Sequence, residues 1–127
     1  MQTRSQKLAQ KAIEVVSAWK NASGDKDPNQ FARRFPALVQ TSGLLQAIAF
    51  ARDKNEEYAK GFRSVLGVLA HETVGNDLPE FERNLSESSA VDYMRVSRLA
   101  LEAATWIKRY AATDDKSSAD ETSQIKP

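Results

Sequence analysis

Residues 31–54 read FARRFPALVQTSGLLQAIAFARDK, and this stretch decides the fold. An arginine pair and a proline lead to a glycine, after which the chain turns almost wholly apolar. Leu44, Leu45, Ala47, Ile48, Ala49, Phe50 and Ala51 cover nearly the whole circumference of two helical turns, whereas a surface helix is apolar along one stripe only. Such a segment belongs inside a bundle or between two molecules. The basic pairs on either side, Arg33–Arg34 and Arg52 with Lys54, then mark the boundary of whatever is buried. Arg52 and Lys54 also have Asp53, Glu56 and Glu57 beside them as local partners.

Working outward, every ordered segment reads as helix. Asp27, Pro28 and Gln30 supply an N-cap, a first-turn proline and a capping partner for the helix that enters the stretch. Pro36 must kink or break that helix, because its ring clashes one turn back, and Gly43 is a further joint. Upstream, Thr3 with Gln6 makes a capping box, and Leu8, Ala12, Val15 or Val16 and Trp19 follow at helical spacing until Ser23–Gly24. Downstream, Asn55 caps a helix carrying Tyr58, Phe62, Val65, Leu66 and Leu69 that ends near Gly75–Asn76. Asp77, Pro79 and Glu80 start a short helix through Leu85. Ser89 with Asp92 opens a long one bearing Val96, Leu99, Ala100, Ala103, Ile107 and Tyr110 on one side. Runs of β-branched residues at period two are missing. The expectation is an all-α, single-domain bundle of about six helices over residues 1–112, with a kinked, proline-containing second helix. Residues 113–127 are Asp, Ser, Thr and Lys with an isolated Ile125, too little apolar area to offset their ordering entropy, so a disordered polar tail is expected there.

A chain of 127 residues holds one core, and its net charge of +1 gives no bulk reason for attraction to nucleic acid or membrane. The charge is nevertheless segregated. Residues 1–23 carry Arg4, Lys7, Lys11 and Lys20 against Glu14, and residues 95–109 carry Arg95, Arg98, Lys108 and Arg109 against Glu102. From Glu72 to Asp92 the balance reverses, with six acids against Arg83. The polar N-terminus lacks a signal-type apolar region, and no apolar run approaches the roughly 18 residues of a membrane span. A cytoplasmic protein is expected.

Chemistry has few footholds. There is no cysteine, and His71 is the only histidine, so thiolate or histidine-rich metal sites are excluded. His71 with Glu72 is the one local acid–base pair; a structural or surface histidine is the plainer reading. Asp77, Glu80, Glu82, Glu87 and Asp92 lack the loop spacing of a calcium site. The five glycines match helix ends and joints rather than a phosphate loop, and no serine sits in a nucleophile elbow. No catalytic, metal or cofactor-binding residue is expected. Basic residues are the better lead. Lys7 and Lys11 share a helix face one turn apart, Arg33 and Arg34 precede Pro36, and Lys108 with Arg109 closes a helix where its dipole favours cations.

The block RFPALVQTSGLLQAIAFA, with Pro36, Ser42, Gly43, Leu44 and Phe50, resembles the small subunit of the type III-B CRISPR effector, the Cmr complex. A second block, Tyr93 and Arg98 followed by ALEAATWIKRYA with Trp106, Ile107, Lys108 and Arg109, is similar to that family's closing helix, and TRSQKLAQKA to its first. The likeness spans residues 3–112. The resemblance implies a helical bundle without a catalytic centre that stacks in copies along a filament of backbone subunits, beside the large subunit. It would line the channel holding the guide RNA–target RNA duplex by phosphate contacts, with sequence read by base pairing. Lys7, Lys11, Arg33, Arg34, Lys108 and Arg109 are the expected contacts. Acidic and basic segments suit head-to-tail stacking. The alternatives are a protein-only helical adaptor in such a complex and the equivalent small subunit of a type III-A complex.

Overall fold

The computed structural model describes residues 2–22, 24 and 26–111 in full and the helical backbone as far as Ile125. The polar tail expected at 113–127 lies outside the fully described residues. Six helices follow in order: α1 (Arg4–Ala18), α2 (Pro28–Ser42), α3 (Leu44–Lys54), α4 (Glu56–Val74), α5 (Leu78–Glu87) and α6 (Ala90–Ile125). Among the described residues there is no strand.

Side-chain caps start five of them as their sequences imply. Thr3 and Gln6 form a reciprocal capping box on α1, with Gln6 N donating to Thr3 Oγ1 at 3.1 Å and Thr3 N to Gln6 Oε1 at 2.7 Å. Asp27 accepts from Asn29 N (3.0 Å), Asn55 from Tyr58 N (3.0 Å), Asp77 from Glu80 N (2.9 Å) and Ser89 from Asp92 N (3.1 Å). Pro36 lies inside α2, which continues through it to Ser42 without a break, and the chain turns at Gly43, the further joint. Helix α1 stops at Ala18, short of Ser23–Gly24. Trp19 leaves helical geometry there, buries its ring, and its carbonyl accepts from the Asn29 side chain at 3.4 Å.

Among the described residues, Gly43 is the one helix start without a side-chain cap. Its φ of 85° and ψ of 158° fall where side chains rarely go. One first-turn N–H of α3 finds its acceptor in another helix: Leu45 N donates to the Tyr93 hydroxyl of α6 at 2.9 Å. Two glycines depart from the expectation that all mark joints. Gly61 and Gly67 lie within α4. A Cβ at Gly61 would come within 2.6 Å of both Val15 and Trp19, so its bare backbone is what lets α1 close on α4.

Helix α6 packs against α1, α2 and α4, and α4 in turn against α1, α3 and α5. Leu8, Ala12 and Val16 of α1 meet Tyr58, Phe62, Val65 and Leu66 of α4 and Val96, Ala100, Ala103 and Ile107 of α6 in one core. Its centre is aromatic. The Tyr58 ring lies 5.7 Å from Trp19, 5.2 Å from Phe31 and 4.9 Å from Phe35, and Phe35 lies 4.8 Å from Phe62, mostly in the tilted arrangements that suit ring quadrupoles. The apolar block of α3 resolves into an ordinary stripe, with Leu44, Ala47, Ile48 and Ala51 buried at helical spacing while Phe50 faces outward.

Three measurements bear on these contacts. Gly43→Ala should lose roughly 1–3 kcal/mol of unfolding free energy in urea melts, from backbone strain alone. Tyr93→Phe should cost about 1 kcal/mol by removing the acceptor of Leu45 N. Tyr58 is fully buried, its hydroxyl has no partner among the described residues, and burial raises its pKa well above 10.0. Above pH 10 the unfolded tyrosine ionises while the folded one holds its proton. Stability is therefore complete below that pH and falls above it by up to about 1.4 kcal/mol per unit. Tyr58→Phe should flatten that part of the pH profile.

Candidate nucleic-acid interface

The six expected contacts lie on different parts of the surface. Lys7 and Lys11 stand on successive turns of α1. Lys7 is exposed and without an ion pair among the described residues, while Lys11 reaches Glu14 at 3.5 Å. Lys11 lines a cleft of about 420 Å³ whose opposite wall is α4, with Arg63, Ser64 and His71. Arg33 and Arg34 are exposed on α2, and the Arg34 guanidinium lies 5.5 Å from the Phe31 ring centre. Lys108 and Arg109 are exposed on α6, where the Arg109 guanidinium lies 5.3 Å from the Trp106 ring. Trp106 stacks on Tyr110 at 6.0 Å, which makes an aromatic–cation ladder on one flank of α6.

The Lys11, Arg34 and Arg109 side chains thus line three separate clefts. Cations outside the expected set complete two of them. Arg63 joins Lys11, with Nη1 donating to the Gly75 carbonyl at 2.6 Å and so holding the turn after α4. Just before that turn, α4 departs from helical dihedrals at Ala70 (φ −137°, ψ 51°), next to His71. No proline or glycine announces this departure, and Arg63 reads in sequence as one more helix charge. Lys54 joins Arg34 across the α2–α3 hairpin, although the two are far apart in the chain.

Other charges neutralise one another. Arg52 pairs with Asp53, as its sequence neighbours allow, and also with Glu82 of α5, while Glu56 takes Lys60 at 3.2 Å and leaves Lys54 without a carboxylate among the described residues. Arg4 is tied to Glu102, linking α1 to α6. Exposed pairs like these contribute little stability but remove cations from what a phosphate could meet. Among the described residues no group of three or more histidine, cysteine or carboxylate side chains is placed to hold a metal ion, and no helix is long and apolar enough to cross a membrane.

Comparison with known proteins agrees with this architecture. Residues 4–114 match the family model described as CRISPR-associated protein (Cas_Cmr5). The chain is 37% identical over 112 residues to the CRISPR system Cmr subunit Cmr5 of Thermus thermophilus, spanning 87% of this chain and 95% of that protein. The crystal structure of a CRISPR-associated Cmr5 family protein from the same organism superposes with a TM-score of 0.73 at 36% identity, covering 89% of this chain and 97% of that one. A helical bundle matched in sequence and structure over nearly its whole length belongs to the Cmr5 family of CRISPR-associated proteins.

Proposed function

We propose that this chain is a non-catalytic small subunit of a type III-B CRISPR ribonucleoprotein effector, the Cmr complex, acting in antiviral defence in the cytoplasm. Copies stack along the backbone filament, contact the large subunit, and line the channel of the guide RNA–target RNA duplex. Lys7, Lys11, Arg33, Arg34, Lys108 and Arg109 meet phosphates there. The observation that carries this reading is the family match, which takes in residues 4–114 and so nearly the whole described bundle. Exposed cations on a chain of net charge +1 fit the same role. A few phosphate contacts per copy bind weakly alone, and repetition along a filament makes them effective.

A protein-only adaptor is the second reading. It is favoured by Val91 and Met94 at the start of α6, which are 76% and 59% exposed and share a helix face suited to another protein.

The two readings separate in a reconstituted complex carrying Arg33→Glu and Arg34→Glu. Both side chains are exposed, so circular dichroism of the free subunit should be unchanged. Target-RNA retention should weaken, and the slope of log affinity against log salt should fall by roughly 0.7–0.9 for each phosphate no longer neutralised. Undiminished retention with intact assembly would favour the adaptor. A complex with His71→Ala should cleave target RNA at the wild-type rate, and failure to cleave would overturn the non-catalytic role.

A further inference from the structure

The hairpin of α2 and α3 folds the ends of residues 31–54 onto each other and makes a cleft of about 300 Å³ lined by Phe31, Arg34, Phe50, Lys54, Asp27 and Asn55. Phe50 is 41% exposed. A single exposed apolar residue is ordinary; this one is held in place. Its ring stacks on Phe31 at 6.1 Å and 24°, and Phe31 is itself buried and braced 6.1 Å from Phe35 and 5.2 Å from Tyr58. A ring fixed in this way loses little rotamer freedom when something lands on it.

Two cations line the same cleft as the ring, Arg34 with its guanidinium 5.5 Å from the Phe31 ring centre. Neither Arg34 nor Lys54 has a carboxylate partner among the described residues, although Arg52 close by has two. The one carboxylate in the cleft, Asp27, has Oδ1 occupied by the Asn29 backbone and side-chain N–H groups, each at 3.0 Å. An exposed aromatic face between such cations is the arrangement that holds single-stranded nucleic acid: stacking takes a base and the cations take the neighbouring phosphates.

We infer that Phe50 is a stacking platform for one unpaired RNA base, with Arg34 and Lys54 binding the phosphates on either side. The inference rests on the RNA-contacting reading above and adds a contact that an intact duplex cannot provide.

The test uses the full chain in low salt, titrated with a uridine octamer and with an abasic octamer of the same phosphate count, followed by NMR. The uridine oligomer should bind more tightly and shift the ring signals of Phe50 and Phe31, whereas the abasic oligomer should shift mainly Arg34 and Lys54. Phe50→Ala and Phe50→Leu should both weaken uridine binding roughly 5- to 150-fold, toward the abasic level. Arg34→Glu with Lys54→Glu should weaken both oligomers. Equal binding of the two oligomers, retention of the difference in Phe50→Leu, or no binding of either would overturn the inference. So would loss of assembly in Phe50→Ala with RNA binding unchanged, which would make the ring a protein-docking contact. The wider RNA reading stands or falls separately, on RNA retention in a complex carrying Lys7→Glu and Lys108→Glu, which lie outside this cleft.

Discussion

The turn at Gly43 works because α6 supplies what α3 lacks. Every other fully described helix begins on a side-chain oxygen of its own cap, while α3 begins on a glycine that has none. Glycine is there because the turn between α2 and α3 requires a φ of 85°. The resulting deficit, backbone donors facing into the protein, is met at Leu45 by the hydroxyl of Tyr93, 48 residues further along the chain. One hydrogen bond therefore joins the start of α3 to the longest helix. It ties α3 to α6 at the turn from which α3 returns along α2, the return that brings Phe50 onto Phe31.

Close approach does the remaining work. Helices α1 and α4 can pack directly because Gly61 has no side chain to hold them apart from Val15 and Trp19. Burying Trp19, Phe31, Phe35 and Phe62 around Tyr58 then fills the space between α1, α2 and α4 with large, stiff groups. The core encloses a tyrosine hydroxyl and an asparagine oxygen that have no partner among the described residues, Tyr58 OH and Asn29 Oδ1.

The charges follow a different logic from the core. Some pair off across elements, Arg4 with Glu102 and Arg52 with Glu82. Others stay outward: among the described residues Lys7, Lys54 and Lys108 keep a bare ammonium, and Arg34 and Arg109 rest on rings. A small net charge is then no measure of the local field, since the acids gather between Asp53 and Asp92 while Lys7, Arg34, Lys108 and Arg109 stand on α1, α2 and α6.

Helix number, the caps at Thr3, Asp27, Asn55, Asp77 and Ser89, and the family likeness were all legible in the linear chain, because each depends on residues within one turn of each other or on short blocks in order. So was the list of exposed cations. What the chain could not reveal was their grouping: Arg63 with Lys11, and Lys54 with Arg34, are brought together by helix packing over long sequence distances. The apolar block at 44–51 read as buried all round, yet only one stripe is, since period alone cannot say how many neighbours a helix will have. Of the kink or break that Pro36 announced, α2 makes no break, and the departure at Ala70 carried no local signal. Local sequence determined where helices start and what they are made of, through short-range hydrogen bonds and steric limits. Tertiary structure decided which faces are covered, which charges are neutralised, and that the two ends of residues 31–54 form one cleft, because those depend on contacts that exist only once the helices have packed.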